Sequence, residues 1–371
     1  MFNVKNKVAI KTIREWLDNI SYSTLNGHIM QFLDQTGQLY PDFTKFMGII
    51  DRINPLYAFI FSILRFGQPT EYSYLDTFLP PKVTNALIET GLLQKNDNYF
   101  RMPDVGIISI GGKYFVTGLP EVYPTVKRNN QYKPIDQSVP LIMDEIASQP
   151  LGKDFLEFYA DYGILASIAA TKGFENIQIF PKHIDYIPFI KFNLALNQCK
   201  GEVITNLVEK EYDLIVNINL SVKEKIENRT KNISHEKKLI QFIPYFCRLK
   251  EKGQTIILLE SFGTRSDITI NEQLKEVRGF NIQSVVLSKI PFPVFASIGY
   301  MQSFWEKQLE LYPNEYIDYS KNTIEFSESK SFVFIQLIKL SKQENKEPFV
   351  LYPFYNPKYS DPIYNYAALK V

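Results

Sequence analysis

The sequence predicts an α/β protein built around a doubly wound, mostly parallel sheet. From residue 154 onward, strand-like apolar runs alternate with helical segments, as they do when crossover helices join parallel strands. Hydrophobic residues make up 45% of the chain and charged residues 22%, so a packed core is expected. The 371 residues also leave room for a second, amino-terminal domain beside the sheet.

The amino-terminal part is predicted to begin with helices, because its apolar residues recur with helical spacing. Three groups show this spacing, around residues 8–20, 29–33 and 56–66. A short helix over 81–90 follows, and the segment LLQKNDNYFRM then has the pattern of a hairpin with a polar turn. This succession of helices and a hairpin is typical of a winged-helix-like unit.

Two further strands are expected at 105–110 and 113–117, joined by a Gly-Gly turn, before a polar stretch at 123–140 that carries three prolines. We therefore predict three regions: an amino-terminal helical and winged-helix-like domain (1–135), a sheet domain (140–342) and an aromatic, proline-rich carboxyl-terminal segment (343–371). The last segment is predicted to pack on a domain. It would act either as a strap that seals a sheet edge or as a lid that adds tyrosine hydroxyls to a pocket.

The sheet domain is predicted to contain seven strands, at 154–158, 176–180, 202–205, 212–218, 254–261, 281–287 and 332–338. The expected helices lie at 163–172, 184–197, 236–252, 271–278 and 300–310. A charged run at 221–238 is expected to be a solvated loop and the entrance to the third of these helices. The alternation predicts a doubly wound sheet, in which ligands bind at the carboxyl ends of the strands.

The first predicted strand and the helix after it read FLEFYADYGILASIAA. With this motif, residues 80–340 resemble the class I S-adenosylmethionine-dependent methyltransferases. The closest likeness is to the branch that joins a winged-helix-like domain to a catalytic domain acting on amino nitrogens of glutamine, adenine or guanine. The resemblance implies a Rossmann-like fold, with Glu157 at the acidic position of the motif and Gly163 at its third glycine. Tyr159 and Asp161 stand where the first two glycines belong.

Two later motifs of that family are present in part. The helix after the ribose-binding acid ends in NLALN (193–197), as it does in the family, but Pro181 occupies the position of the acid itself. The family pattern Asp-Leu-Ile-Val with a following Asn-Pro-Pro-Tyr is matched here by YDLIVNINLS, which lacks the prolines and the tyrosine. Asn217 and Asn219 are the residues nearest to the position of the family's asparagine.

These departures oppose ordinary binding of S-adenosylmethionine. Glycines in such a loop let backbone amides approach the ligand, whereas Tyr159 and Asp161 bring side chains into that space. Asp161 also adds a negative charge near the expected methionine carboxylate. Two like charges about 4 Å apart at an effective dielectric of about 20 repel each other by about 4 kcal/mol. We therefore expect S-adenosylmethionine to bind weakly or not at all.

The resemblance implies a site of eight residues. The cofactor side is assigned to Glu157, Tyr159, Gly163 and Asp185, and the catalytic side to Asp161, His183, Asn217 and Asn219. Structural alternatives stay open for several of them. An acid such as Glu157 also stabilises the start of a following helix, and a single loop histidine is often only solvated. The three histidines show no metal-ligand spacing, so no metal is expected.

Two functions fit these residues. One is a tailoring enzyme of specialised metabolism that acts on a small molecule or peptide, either by methylation through a rearranged cofactor site or by cofactor-independent acid–base chemistry such as cyclisation or elimination. The other is a pseudo-methyltransferase that binds a partner or carrier protein. The balance of 41 basic against 40 acidic residues argues against nucleic acid as the main partner. Two distant cysteines and the lack of a signal-peptide core or a membrane-spanning run predict a cytoplasmic protein.

Overall fold

The computed structural model describes most of the predicted sheet and part of the amino-terminal region. The described residues are 2–27, 51–52, 54–65, 67–96, 98–118, 139–207, 209–227, 232–235, 238–263, 270, 274, 277–291 and 332–342. The predicted helices around 29–33, 271–278 and 300–310 lie wholly or mostly outside these residues, as does the carboxyl-terminal segment 343–371. These expectations therefore stay predictions.

The described chain packs as two compact units, and each draws on more than one stretch of sequence. The first unit contains 1–137, 161–168 and 183–203, and the second contains 138–160, 169–182 and 204–371. The amino-terminal unit thus takes in the start of one helix and the whole of another from the predicted sheet domain. The domain limits predicted from the sequence, at about 135 and 342, stay predictions.

The helices of the first unit begin where the sequence supplies caps and apolar faces. They are α1 (Lys7–Asn19), α2 (Pro55–Ile60), which continues as a π-helical turn over Phe61–Arg65, α3 (Tyr72–Phe78) and α4 (Pro81–Glu89). The side-chain oxygen of Asn6 accepts a hydrogen bond from the amide of Ala9 and so caps α1. Proline at the first position of α2 and of α4 fits a helix start, because that amide needs no helical partner.

Two small antiparallel sheets complete this part of the unit. Strands β1 (Thr70–Glu71), β3 (Tyr99–Arg101) and β2 (Gln94–Asn96) pair in that order. Strands β4 (Val105–Ile110) and β5 (Lys113–Gly118) form a hairpin whose turn residues, Gly111 and Gly112, have φ angles of 56° and 72°. The positive angles explain why two glycines stand there. Both predicted hairpins are therefore present, while the winged-helix-like arrangement stays a prediction.

The large sheet contains the seven strands that the sequence predicts. They are β6 (Asp154–Ala160), β7 (Asn176–Pro181), β8 (Glu202–Val203), β9 (Tyr212–Glu227), β11 (Leu249–Gly263), β12 (Phe280–Pro291) and β13 (Phe332–Lys342). An eighth strand, β10 (Asn232–His235), pairs with the far end of β9. Around these strands lie α5 (Val139–Ser148), α6 (Ile164–Lys172), α7 (Ile187–Leu196) and α8 (Lys238–Phe246).

The order of strands across the sheet is β12-β13-β11-β9-β6-β7-β8. Strand β6 is parallel to both β7 and β9, and β9 is parallel to β11. Strand β13 runs antiparallel to its neighbours β11 and β12. The chain order reverses between β6 and β9, which makes this boundary the switch point of a doubly wound sheet. The predicted mostly parallel, Rossmann-like sheet of the methyltransferase-like fold is thereby confirmed.

Two predicted segments differ from the structure. The helix expected over 236–252 ends at Phe246, since Pro244 lacks an amide for a helical bond and strand β11 starts at Leu249. The prediction of a loop for the charged run 221–238 is wrong for much of its length, because β9 continues to Glu227 and pairs with β10. Pairing with a second strand supplies the backbone bonds that let so polar a sequence remain extended.

Charged side chains tie together the amino ends of three neighbouring strands in the second unit. Asp154 of β6 contacts Lys210 at 2.6 Å, and Lys250 of β11 contacts both Asp154 and Asp213 of β9. The Asp213 carboxylate also accepts from the amides of Lys153 and Asp154, each at 2.8 Å. We call Asp154, Lys210, Asp213 and Lys250 the ionic cluster. Burial alone would raise the pKa of Asp154, but hydrogen bonds from Lys210 and Lys250 outweigh burial and lower it to about 2.

Gly152 and Lys172 make two further close contacts within the second unit. A Cβ at Gly152 would lie 2.4 Å from the Cβ of Asp213, so a larger residue there would displace Asp213. The ammonium of Lys172, at the end of α6, donates to the carbonyls of Ile146 and Ala147 at the end of α5. A cation there binds helix carbonyls that have no helical hydrogen-bond donor.

Among the described residues, no helix is both long and apolar enough to cross a bilayer.

Candidate functional site

The end of β6 and the turn that leads to α6 have a left-handed backbone at two positions, Tyr159 and Gly163. Gly163 has a φ of 68°, and a Cβ there would lie 3.0 Å from Cγ2 of Ile190. Tyr159 has a φ of 61°, a left-handed conformation that costs a residue with a side chain about 1–2 kcal/mol. Tyr159 therefore holds a backbone conformation that glycine adopts without steric cost.

The ring of Tyr159 packs among other aromatic rings of the second unit. Its centroid lies 5.0 Å from Phe158 and 5.0 Å from Phe242, and 6.2 Å from Phe180. We call this set the aromatic cluster, which comprises Phe158, Tyr159, Phe180, Phe242, Tyr245 and Phe246. Each aromatic pair is worth about 0.5–1.5 kcal/mol beyond area burial, which is enough to offset the strain at Tyr159.

The carboxyl end of β7 is also apolar. Phe180 stacks on Phe158 with ring centroids 5.5 Å apart and planes 16° apart. Pro181, the last residue of β7, is buried where the resemblance would place the acid that binds ribose. The carboxyl ends of β6 and β7, where a nucleoside would be expected, thus present rings and a proline.

Glu157 and Asn217 are buried polar residues on the neighbouring strands β6 and β9. Glu157 is 3% exposed and pairs in register with Val216. Asn217 is fully buried, and its Nδ2 donates to the carbonyl of Phe158 at 2.7 Å, one step beyond the last pair of the β6–β9 ladder. Its Oδ1 is buried and accepts no hydrogen bond from the described residues. Asn219 belongs to β9, but its side chain lies outside the described part of the chain.

Residues 161–168, which follow Ala160, belong to the first unit. Asp161 is half-buried, and Tyr162 next to it is buried with its ring edge-on to Tyr186 and Phe189. The hydroxyl of Tyr162 accepts from the amide of Gly118 at 3.0 Å. The turn that carries Asp161 is therefore anchored through the tyrosine beside it.

His183 and Asp185 lie on the surface of the first unit. The His183 side chain is 64% exposed, and its Nδ1 lies 3.0 Å from the Asp185 carboxylate. The same nitrogen accepts from the amide of Asp185 at 3.4 Å and so caps the 3₁₀ turn Ile184–Tyr186. This geometry gives His183 a capping role, and the catalytic role expected from the sequence stays a prediction.

The predicted site residues therefore fall into two groups. Glu157, Tyr159 and Asn217 lie near the carboxyl end of β6, the first two in β6 itself and Asn217 on the neighbouring strand β9, in the second unit. The turn and loop residues, Asp161, Gly163, His183 and Asp185, belong to the first unit. Sequence reasoning missed three residues that shape the site: Phe180, Phe242 and Asn193. Only Asn193 had a signal, because it opens the NLALN motif. Within the part of the chain that is described, no group of three or more histidine, cysteine or acidic side chains could hold a metal.

Solved structures similar to this chain include two TYW2 proteins and a ribosomal protein L11 methylase. TYW2 of P. horikoshii, in complex with MeSAdo, is 12% identical over 73% of this chain and 86% of its own, with a TM-score of 0.38. TYW2 of M. jannaschii, in complex with AdoMet, is 11% identical over 68% of this chain and 93% of its own, with a TM-score of 0.37. The ribosomal protein L11 methylase of Lactobacillus delbrueckii subsp. bulgaricus is 20% identical over 40% of this chain and 72% of its own, with a TM-score of 0.32.

No protein-family model and no curated protein matches the chain. The fold assignment rests on the strand order and on the direction of each strand. By these criteria, the chain has a methyltransferase-like fold.

Proposed function

We propose that the protein is a tailoring enzyme of specialised metabolism that acts on a small molecule or peptide bearing an N–H group. The main support for this proposal is the hydrogen bonding of Asn217. Its Oδ1 atom is a buried acceptor at the switch point of the sheet and has no donor among the described residues. A buried acceptor left in this state costs about 1–3 kcal/mol. An amino or amide N–H of a ligand supplies the missing donor. Ligands of doubly wound sheets bind at this edge.

The cofactor part of the proposal departs from ordinary methyl transfer. Tyr159 and Phe180 fill space near the carboxyl ends of β6 and β7, and Pro181 offers no acid to a ribose. Asp161 adds a negative charge in the turn where the methionine carboxylate would lie. The enzyme therefore either methylates through a rearranged cofactor site or uses cofactor-independent acid–base chemistry, with Asp161 as the group that handles the proton.

Calorimetry with S-adenosylmethionine and its demethylated product tests the cofactor part. We expect the wild-type protein to bind either compound more weakly than the low micromolar range. The double variant Tyr159→Gly, Asp161→Gly removes a ring and a charge from the turn and should bind more tightly. Tyr159→Phe is the matched control, because it keeps the ring and should leave the affinity unchanged. Low-micromolar binding by the wild-type protein would contradict this part.

Thermal stabilisation by amino compounds tests the role of Asn217. Adenosine and a glutamine-containing peptide are suitable probes, because each presents an exocyclic or side-chain N–H group. A probe that raises the melting temperature of the wild-type protein should lose this effect in Asn217→Leu, which removes the acceptor. Equal stabilisation of both proteins would contradict the role of Asn217. Asn176→Leu, at the opposite end of the sheet, is the control and should keep the effect.

A second candidate is a pseudo-methyltransferase that binds a partner or carrier protein. The packing of Tyr159 into the aromatic cluster favours it, because a ring held by the protein's own core leaves less room for a cofactor. The two candidates differ in one measurement. A folded wild-type protein that binds neither S-adenosylmethionine nor any amino probe supports the pseudo-methyltransferase, whereas binding that depends on Asn217 supports the enzyme. In both candidates the protein is expected to work in the cytoplasm.

A further inference from the structure

A continuous chain of hydrogen bonds crosses the interior of the first unit, from α1 to the turn before α6. It starts at Arg14, whose guanidinium donates to Asp18 at 3.0 Å and to Oδ1 of Asn197 at 3.1 Å. It continues through Asn197, which caps the carboxyl end of α7, to Asn193 one turn earlier, and ends at Tyr162. We call residues 161–163 the α6 turn. Buried polar chains of this kind fix one arrangement of the elements they join.

Asn193 is the member of this chain that contacts the α6 turn. The side chain is fully buried and makes three hydrogen bonds, which use both of its N–H donors and its oxygen. Its Oδ1 accepts from the amide of Val116 at 2.7 Å, and its Nδ2 donates to the carbonyls of Val116 and Tyr162, each at 3.0 Å. One amide group therefore holds strand β5 and the α6 turn at once.

Asn197 makes a matching set of contacts that excludes the turn. Its Oδ1 accepts from the amide of Tyr114 at 2.9 Å, and its Nδ2 donates to the carbonyl of Tyr114 at 2.6 Å. The same Nδ2 donates to the carbonyl of Asn193. Both asparagines thus bracket β5 from α7 with the same chemistry, and the contact with Tyr162 distinguishes Asn193.

We infer that Asn193 is a positioning residue that fixes the α6 turn against strand β5. The carbonyl of Tyr162 directly precedes Gly163, so a bond to it restrains the peptide on which the left-handed φ of Gly163 depends. The carbonyl of Gly163 in turn accepts from the amide and the hydroxyl of Ser167 in the first turn of α6. Holding Tyr162 therefore sets where α6 begins and where the Asp161 carboxylate is presented.

This positioning role rests on the proposed function, in which the α6 turn contacts part of the ligand. In this role Asn193 touches no ligand and acts through Tyr162 and Gly163. Strand β5 serves as the fixed reference, because its amides and carbonyls at Tyr114 and Val116 are both held from α7.

Hydrogen exchange measured by mass spectrometry tests this inference on Asn193→Ala, with Asn197→Ala as the matched control. Both variants lose buried amide bonds to β5, so both are expected to lose global stability. Exchange in the peptide covering 160–168, corrected for global stability, should be about tenfold faster in Asn193→Ala than in Asn197→Ala, because only the first loses the bond to the turn. Equal corrected exchange in the two variants would overturn the inference.

A gentler variant keeps the test decisive if Asn193→Ala does not fold. Asn193→Asp has nearly the same shape and keeps an oxygen that accepts from Val116, but it lacks the N–H groups that donate to Val116 and Tyr162. Asn197→Asp is its matched control, because it loses the corresponding donors to Tyr114 and Asn193 and no bond to the turn. Exchange in the 160–168 peptide, corrected for global stability, should be faster in Asn193→Asp, and equal exchange in the two variants would overturn the inference.

A ligand arm separates this inference from the proposed function. In the Tyr159→Gly, Asp161→Gly background, adding Asn193→Ala should weaken the affinity for S-adenosylmethionine by about tenfold, the effect of one lost hydrogen bond, while adding Asn197→Ala should leave it unchanged. If the background itself does not bind, the cofactor part of the proposed function fails, and the exchange measurement alone decides the role of Asn193. If the background binds and both additions weaken affinity equally, the positioning role is overturned.

Discussion

The two ends of the strands in the second unit are built in opposite ways. At the amino ends, the charged side chains of the ionic cluster pair with one another. The Asp213 carboxylate accepts hydrogen bonds from two backbone amides and forms an ion pair with Lys250. At the carboxyl end of β6, Tyr159 holds a strained backbone angle, and Asn217 on the neighbouring strand β9 keeps a buried acceptor without a donor among the described residues. One end therefore contributes stability, while the other carries the strain and the unmet hydrogen bond that accompany a binding site.

Removing Asp154 should have the largest effect, because it breaks the well-satisfied end. Asp154→Ala leaves Lys210 and Lys250 without their shared carboxylate, and we expect a loss of about 2–3 kcal/mol in the free energy of unfolding. This loss is smaller than the loss expected for a fully buried ion pair, because both lysine side chains are about a third exposed and water screens their charges. Urea denaturation measures the loss. Lys342→Ala is the control, because its pair with Glu211 lies on the surface and should cost less than about 1 kcal/mol.

Acid should weaken the same end of the sheet. Burial would raise the pKa of both Asp154 and Asp213, but hydrogen bonds outweigh it: those from Lys210 and Lys250 hold the pKa of Asp154 at about 2, and those from Lys250 and two backbone amides lower the pKa of Asp213. A lowered folded-state pKa contributes stability that is complete above the unfolded pKa of about 4 and is lost as pH falls through about 2. For Asp154 the loss is about 2 kcal/mol. Urea midpoints at pH 6 and pH 2.5 measure most of it, and Asp154→Asn should show a smaller difference; an equal difference would contradict the assignment.

Glycine and alanine at position 159 should show that the carboxyl end is strained. Tyr159→Ala keeps the left-handed backbone and loses the ring contacts, so it should cost about 2 kcal/mol. Tyr159→Gly loses the same contacts but relieves about 1–2 kcal/mol of strain, so it should be the more stable of the two variants. Thermal or urea denaturation gives the order. Alanine more stable than glycine would show that the backbone angle carries no strain.

Asn217→Leu should have the smallest effect on stability. The change removes the donor to Phe158 but also removes the buried acceptor, so the two terms partly cancel and the net cost should stay near 1 kcal/mol or below. Asn193→Leu removes an amide whose hydrogen bonds are all made, and should cost more. Urea denaturation of both variants gives the comparison. A larger loss at Asn217 would mean that the carboxyl end is as fully satisfied as the amino end.

The strands were predictable because buried parallel strands form continuous apolar runs, such as YDLIV at the start of β9. The ends of the strands were harder to predict from the sequence. Strand β11 begins at Leu249 rather than near 254, because Lys250 is held by two carboxylates that lie 37 and 96 residues away in sequence. The polar end of β9 stays extended because β10 pairs with it. Neither partner is visible in a local window of sequence.

The candidate site was predictable in its backbone and not in its contacts. The motif placed Gly163 and Tyr159 at special backbone positions, and both have positive φ angles. The direction of the Tyr159 ring depends on Phe242, which comes from α8, far along the chain. The asparagines of NLALN were visible only as a motif, because their partners on β5 lie about 80 residues earlier, at separations of 77 and 83. Such pairings follow from the fold and not from spacing.

The bracketing of β5 by α7 also constrains how the protein is made on the ribosome. The amide of Val116 finds its acceptor in Asn193, which is synthesised 77 residues later. At about 5–20 residues per second, translation of that interval takes roughly 4–15 s. During that time the backbone groups of Tyr114 and Val116 stay without their final partners, and the β4–β5 hairpin exposes a strand edge to other nascent chains. The amino-terminal unit can therefore complete its folding only after α7 has emerged, long after its own hairpin has formed.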